Sequence, residues 1–144
     1  MAAPNIVTTA AQPPVANSTV SIPIVLATVA DGDIVTTYTP GFKFKIVKVD
    51  FLVTTAVTTG AKASTLNLEI NTTNLTGGTV ALTSAAATPL GKVIAGAAVT
   101  ANNVGDADDT ISVEASSTTP FVEGAGVLLI QLQDISYQNS PTGA

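Results

Sequence analysis

The chain has 144 residues, with five lysines, ten carboxylates, no histidine, no cysteine, no tryptophan and no arginine. Without His or Cys the usual zinc ligands and nucleophile–base pairs are missing, and a net charge of −5 without arginine works against a phosphate-binding surface. The length fits one domain that buries a core without disulfide or metal staples, and at 10% its charged residues fall well short of the usual ~25%.

The first stretch, 1–19, contains Pro4, Pro13 and Pro14 and no charged side chain. Proline fixes φ and removes donors, so this segment reads as an extended arm with a reach of about 60 Å. A disordered tail is the plain alternative, but such tails are usually charged and poor in β-branched residues. Ile6, Val7 and Val15 make this arm a candidate for docking on a neighbouring protein. Positions 1–12 have neither the basic start nor the continuous apolar core of a signal peptide. Synthesis in a cytoplasm, without export by that route, is the expectation.

From Val20 alternation begins, with a strand predicted over 20–29 and Pro23 marking an edge or a strand start. Asp31-Gly32-Asp33 signals a turn, 34–39 a short strand, and Pro40-Gly41 another turn. The clearest strand is 42–54. Phe42, Phe44 and Ile46 share one face with Lys43 and Lys45 opposite; then the parity changes to Val47, Val49, Phe51 and Val53. One residue of slip flips a strand's faces, so the switch predicts a β-bulge or sharp bend near Ile46-Val47, of the kind by which a strand turns a sandwich corner to serve both sheets.

Leu66, Leu68 and Ile70 alternate with Thr65, Asn67 and Glu69, predicting a half-buried strand over 65–71. After Gly77-Gly78, a strand over 79–83 buries Val80 and Leu82, and one helical turn fits 84–87. Gly96 interrupts the apolar run 92–100, leaving that stretch ambiguous, and 102–109 reads as a polar loop. Ile111 and Val113 point inward from 110–115, as do Leu128, Ile130 and Leu132 from 126–135. Eight short strands with no linking helix make an antiparallel all-β sandwich, read as an eight-stranded jelly roll over 20–135. An immunoglobulin-like sandwich is the alternative, without its Cys pair or Trp. A short tail, 136–144, follows.

The candidate sites are few. Asp106-Ala107-Asp108-Asp109, after Asn102 and Asn103, could offer oxygens to calcium. It lacks the EF-hand order, and a solvated loop is the simpler reading; no metal or cofactor is assigned. Glu69, Glu114 and Glu123 fall on or beside strands, yet no spacing singles out a carboxylate pair for glycoside chemistry. Ser64 lies near Lys62 without a supporting motif, so the chain reads as a non-enzyme. Asn17, Asn71 and Asn74 begin glycosylation sequons that a Thr-rich chain produces by chance. Lys43, Lys45 and Lys48 read as a solvated strand face, with nucleic acid not expected as a partner. No apolar stretch nears the ~18 residues of a membrane-spanning helix.

A monomer of this size exposes about 6,800 Å², a large area for five lysines and ten carboxylates to wet. Thr, Ser and Asn side chains wetting the surface are one explanation, and a surface covered by identical subunits or a larger assembly is the other; a mean hydropathy of +0.47 favours the second. The run from Pro40 through Phe42, Lys43, Phe44, Lys45, Ile46 and Lys48 to Phe51 resembles one in structural proteins of tailed-phage virions. So do Leu66-Asn67-Leu68-Glu69-Ile70, Gly77-Gly78-Thr79-Val80-Ala81-Leu82-Thr83, Thr88-Pro89-Leu90-Gly91 and Phe121-Val122-Glu123-Gly124. Within that group the chain is most similar to capsid decoration (cement) and head-fibre proteins. The resemblance spans about 21–135 as a texture of strands and turns, and it transfers no catalytic residue. It implies a homotrimer with jelly-roll bodies bound to the major capsid protein on the outside of the virion. Ile6, Val7 and Val15 would then make capsid contacts. The alternative function is the receptor- or glycan-binding head of a tail fibre or adhesin, which calls for exposed aromatics; Tyr38 and Tyr137 are the tyrosines available.

Overall fold

A computed structural model describes residues 17–136. Ile6, Val7, Val15 and Tyr137 lie outside the described residues. Ten strands follow one another: β1 (Asn17–Val25), β2 (Gly32–Tyr38), β3 (Phe44–Thr55), β4 (Ala63–Ile70), β5 (Thr73–Asn74), β6 (Val80–Thr83), β7 (Val93–Ala95), β8 (Val104–Gly105), β9 (Ile111–Thr119) and β10 (Ala125–Asp134). A single 3-10 turn, Leu26–Thr28, sits between β1 and β2. The first sheet runs β1-β10-β3-β7 with β8 also on β3; the second runs β2-β9-β4-β5 with β6 also on β4. Every pair is antiparallel. The two sheets pack face to face, giving the all-β sandwich expected from the alternation.

The alternation decides what is buried. On β4, Ser64, Leu66, Leu68 and Ile70 point inward, while Thr65, Asn67 and Glu69 stay partly exposed. On β10, Gly126, Leu128, Ile130 and Leu132 are buried and the residues between them are not. Phe44, Ile46, Phe51, Leu66, Leu68, Leu82, Ile111, Leu128, Ile130 and Leu132 have almost no exposed surface, and they form one continuous core.

The parity switch in β3 is a bulge. Gln131 faces Lys48 and Leu132 faces Ile46, so Val47 has no partner on β10. Phe44 and Ile46 before it, and Val49, Phe51 and Val53 after it, all reach the core. The strand does not turn a corner, however. It pairs with β10 from Phe44 to Thr55 and serves the first sheet alone. The extra residue corrects the facing of the side chains without redirecting the backbone.

The boundaries differ where polar sequence hides pairing. β1 starts at Asn17 and gives way at Leu26 to the 3-10 turn, so the strand predicted over 20–29 sits earlier than expected. The ambiguous 92–100 stretch contributes only Val93–Ala95, paired to β3. β8 lies within the predicted polar loop, and β5 follows the tight turn at Asn71, whose φ is 57°. Neither two-residue strand has an alternating pattern to betray it.

Close packing against glycine fixes the β3–β10 contact. A methyl group at Gly126 would lie 2.2 Å from Cε1 of Phe51 and 2.5 Å from the Leu52 carbonyl. Gly126→Ala should therefore destabilise the domain by about 1–3 kcal/mol in urea unfolding, the usual cost of overpacking a filled core. Gly60→Ala is the control, since a methyl group there meets nothing within 4 Å; it should change stability by less than about 1 kcal/mol. Equal midpoints for the two variants would contradict this packing.

Candidate functional site

The outward positions of the second sheet collect its acids. Glu114 of β9 faces Asp33 of β2 on one side and Asn67 of β4 on the other, and Glu69 lies one outward step along β4. Carboxylate oxygens of Asp33, Glu69 and Glu114 all lie within 4.8 Å of one another. Asn67 Nδ2 donates to Glu114 Oε1 at 3.3 Å, and the Ser112 hydroxyl donates to Glu69 Oε2 at 3.2 Å. Glu69 and Glu114 are half-buried; Asp33 is exposed. Three like charges this close favour a cation among them, whether a divalent ion or a basic side chain.

Asp33 also lines a groove of about 400 Å³ on the open side of the sandwich, between edge strands β1 and β2. Its other walls are Pro23, Ile24, Val25, Thr28, Val29, Ile34 and Val35. The sequence alone placed Asp33 in a turn and left Glu69 and Glu114 unrelated. Their alternation did show that both glutamates face outward. The register of β4 on β9 and of β9 on β2, which brings the three together, has no sequence signal.

Two other acids, Asp109 and Glu123, are engaged within the fold. Asp109 Oδ1 accepts from Asn71 Nδ2 at 2.9 Å, and its Oδ2 accepts from the Asp106 backbone N–H at 2.8 Å. The Asn71 amide lowers the pKa of Asp109, with help from the Asp106 N–H. Asn71 Oδ1 in turn accepts from the Thr110 N–H at 3.1 Å. Both Asp109 oxygens are thus engaged, while the Asp106 and Asp108 side chains stand exposed.

Glu123 holds the turn after β3. Its Oε1 accepts from the Thr58 and Thr59 N–H groups at 2.8 and 2.7 Å, and its Oε2 from the Thr59 hydroxyl at 2.8 Å. The Thr59 N–H is the main cause that lowers its pKa below the ordinary glutamate value of 4.5.

Ser64 points into the sandwich, and its hydroxyl hydrogen-bonds that of Thr118 at 2.8 Å. The backbone N–H of neighbouring Lys62 donates to Ser84 Oγ. Lys45 and Lys48 project from the outer face of the first sheet, where Lys48 Nζ lies 3.2 Å from Asp50 Oδ2. The other Asp50 oxygen is buried without a hydrogen-bond partner. Tyr38 packs against the core rather than standing free as an aromatic platform.

The depressed Glu123 carboxyl has a pH consequence. A carboxylate with a lowered folded pKa contributes stability that is present above its unfolded value and lost as pH falls through the folded one. The melting temperature should hold above about pH 5 and fall below the ordinary glutamate value. Glu123→Gln should shallow that acid limb and speed amide exchange at Thr58 and Thr59. An unchanged limb with unchanged exchange would contradict the assigned role.

Compared with protein-family models and with curated protein sequences, this chain matches none, and its site is read from its own chemistry.

Proposed function

We propose that this chain is a structural virion protein, a decoration subunit that binds the outside of a phage capsid as a homotrimer and cements contacts between capsomers of the major capsid protein. One observation carries the reading: an aliphatic row crosses the solvent side of the first sheet, beyond the rows that hold Lys45, Lys48 and Asp50. Pro23 faces Val127, Val127 faces Leu52, and Leu52 faces Val93, so one register row crosses β1, β10, β3 and β7 without a polar side chain. Leu129 lies in the next row and Val25 at the end of β1. Val25 is 57% exposed and Val93 51%. Antiparallel sheets with one wet face ordinarily alternate apolar inward with polar outward. Here both faces of the sheet carry aliphatic side chains, which fits a surface completed by other protein.

The remaining evidence agrees with a passive, adhesive role. The pairing is nested, first strand with last and second with next to last, which supports reading the sandwich as a jelly roll. Leu90 and Val122 add exposed apolar surface in the loops, at 68% and 61%. Contacts closing heterologously in a ring of three would cover such surface. Neither a cofactor nor a reactive side chain is needed.

The test is binding to shells of the major capsid protein. The intact chain should cosediment with them, and a truncation lacking 1–16, which removes Ile6, Val7 and Val15, should form folded trimers that no longer bind. Full-strength binding by the truncation would overturn the role given to the arm. Val127→Lys, a charge set on the outer row, should weaken shell binding or trimerisation by roughly thirtyfold or more, as loss of an interface hot spot does. Unchanged binding and unchanged mass for that variant would overturn the role given to the sheet face.

A further inference from the structure

We infer that the groove between β1 and β2 is a recognition site for an extended segment of a partner protein, one that carries a basic side chain next to an aliphatic one. The groove is mixed in character: half-buried Ile34 and Val35 give it an apolar patch over the buried Ile24 and Val29, with Asp33 at its lip. Asp33 is shared with the acidic trio, so the apolar patch and the Asp33–Glu69–Glu114 carboxylates meet at one residue. Charge complementarity specifies the occupant: a single lysine or arginine can satisfy three converging carboxylates, and arginine does so with a planar fork of donors. An aliphatic neighbour on the same segment enters the groove, because alternate side chains of an extended chain point to opposite sides.

Regular strand addition is not how this edge recognises its partner. Pro23 lacks an N–H in the middle of β1, and β2 shifts register between Asp33 and Val35 and again between Val35 and Tyr38. Both edges are thereby blunted against continuous pairing. Recognition falls to side chains, which gives the site sequence preference as well as adhesion. This chain does not supply the ligand from its own folded strands: its Phe-Lys-Phe-Lys-Ile run is built into β3 and the segment leading to it. The inference rests on the reading of the chain as a docking subunit, and identifies the partner chemistry at one edge of it.

The experiment titrates the full ¹⁵N-labelled chain with the capped peptide Thr-Val-Arg-Val-Thr and with its Arg→Glu counterpart. The expected result is saturable shifts at amides of Ile24, Val29, Asp33, Ile34 and Glu114 with the arginine peptide, and none with the glutamate peptide. Asp33→Asn and Glu114→Gln should each weaken binding about tenfold, the worth of one charge-assisted hydrogen bond. Glutamine at 114 still accepts from Asn67, so that variant tests charge with the fold retained, as its melting curve would check. Equal binding of both peptides, shifts elsewhere on the surface, or no binding at millimolar peptide would each overturn the inference. Shell binding is scored separately: failure of the peptide with shell binding intact removes the groove's role and leaves the docking reading standing.

Discussion

The register of β3 against β10 is the constraint on which the rest of the sandwich depends. β3 has to present Phe44 and Ile46, then Val49, Phe51 and Val53, to one core, and a regular strand cannot do so because the two sets differ in parity. The unpaired Val47 absorbs the difference. A bulge disturbs the local ladder, and buried backbone groups left unpaired are costly. Asn103 clamps the opposite edge of the strand beside the bulge: its carbonyl accepts from the Ile46 N–H at 2.8 Å, and its side-chain amide donates to the Ile46 carbonyl at 2.7 Å. β8 pairs Val104 and Gly105 with Lys45 and Phe44 directly beside this clamp. A loop residue more than fifty positions away thus holds the central strand next to its irregularity.

With that register set, the outer surfaces follow. Leu52 must face outward if Phe51 and Val53 face inward, and pairing then aligns it with Val127, Pro23 and Val93. On the opposite sheet the same geometry lines up Asn67, Glu114 and Asp33. One outer face therefore carries an aliphatic row beside rows with Lys45, Lys48 and Asp50, and the other is polar and acidic. A surface this uneven fits the docking subunit proposed above. On the proposed reading the low charge content follows too, since surface covered by protein would not need ions to keep it soluble.

Much of the fold was legible because period-2 alternation is a direct consequence of having one wet and one dry face. Leu66, Leu68 and Ile70, and likewise Leu128, Ile130 and Leu132, declare their burial without any knowledge of partners. The bulge was legible for the same reason, since Ile46-Val47 breaks the period. What alternation does not encode is which strand lies beside which. Hence the outer apolar row and the Asp33–Glu69–Glu114 cluster, both products of cross-strand register, emerge only from the structure. Polar residues that serve the backbone were also hidden: Asn103 read as part of a polar loop, Asn71 as the end of a strand and Glu123 as lying on or beside one, yet each satisfies main-chain groups far along the sequence. The Asp106-Asp109 segment read as a solvated loop, and nothing in its sequence signals that Asp109 is engaged by Asn71 and by the Asp106 N–H in the fold.

The central claim is that aliphatic β-sheet surface left outward on this domain is completed by copies of itself and by a shell. Sedimentation equilibrium of the purified full chain at moderate salt addresses it most directly. The account predicts a single species of three times the 14.3 kDa chain mass, persisting on dilution into the micromolar range. A monodisperse monomer that stays soluble at high concentration would contradict it.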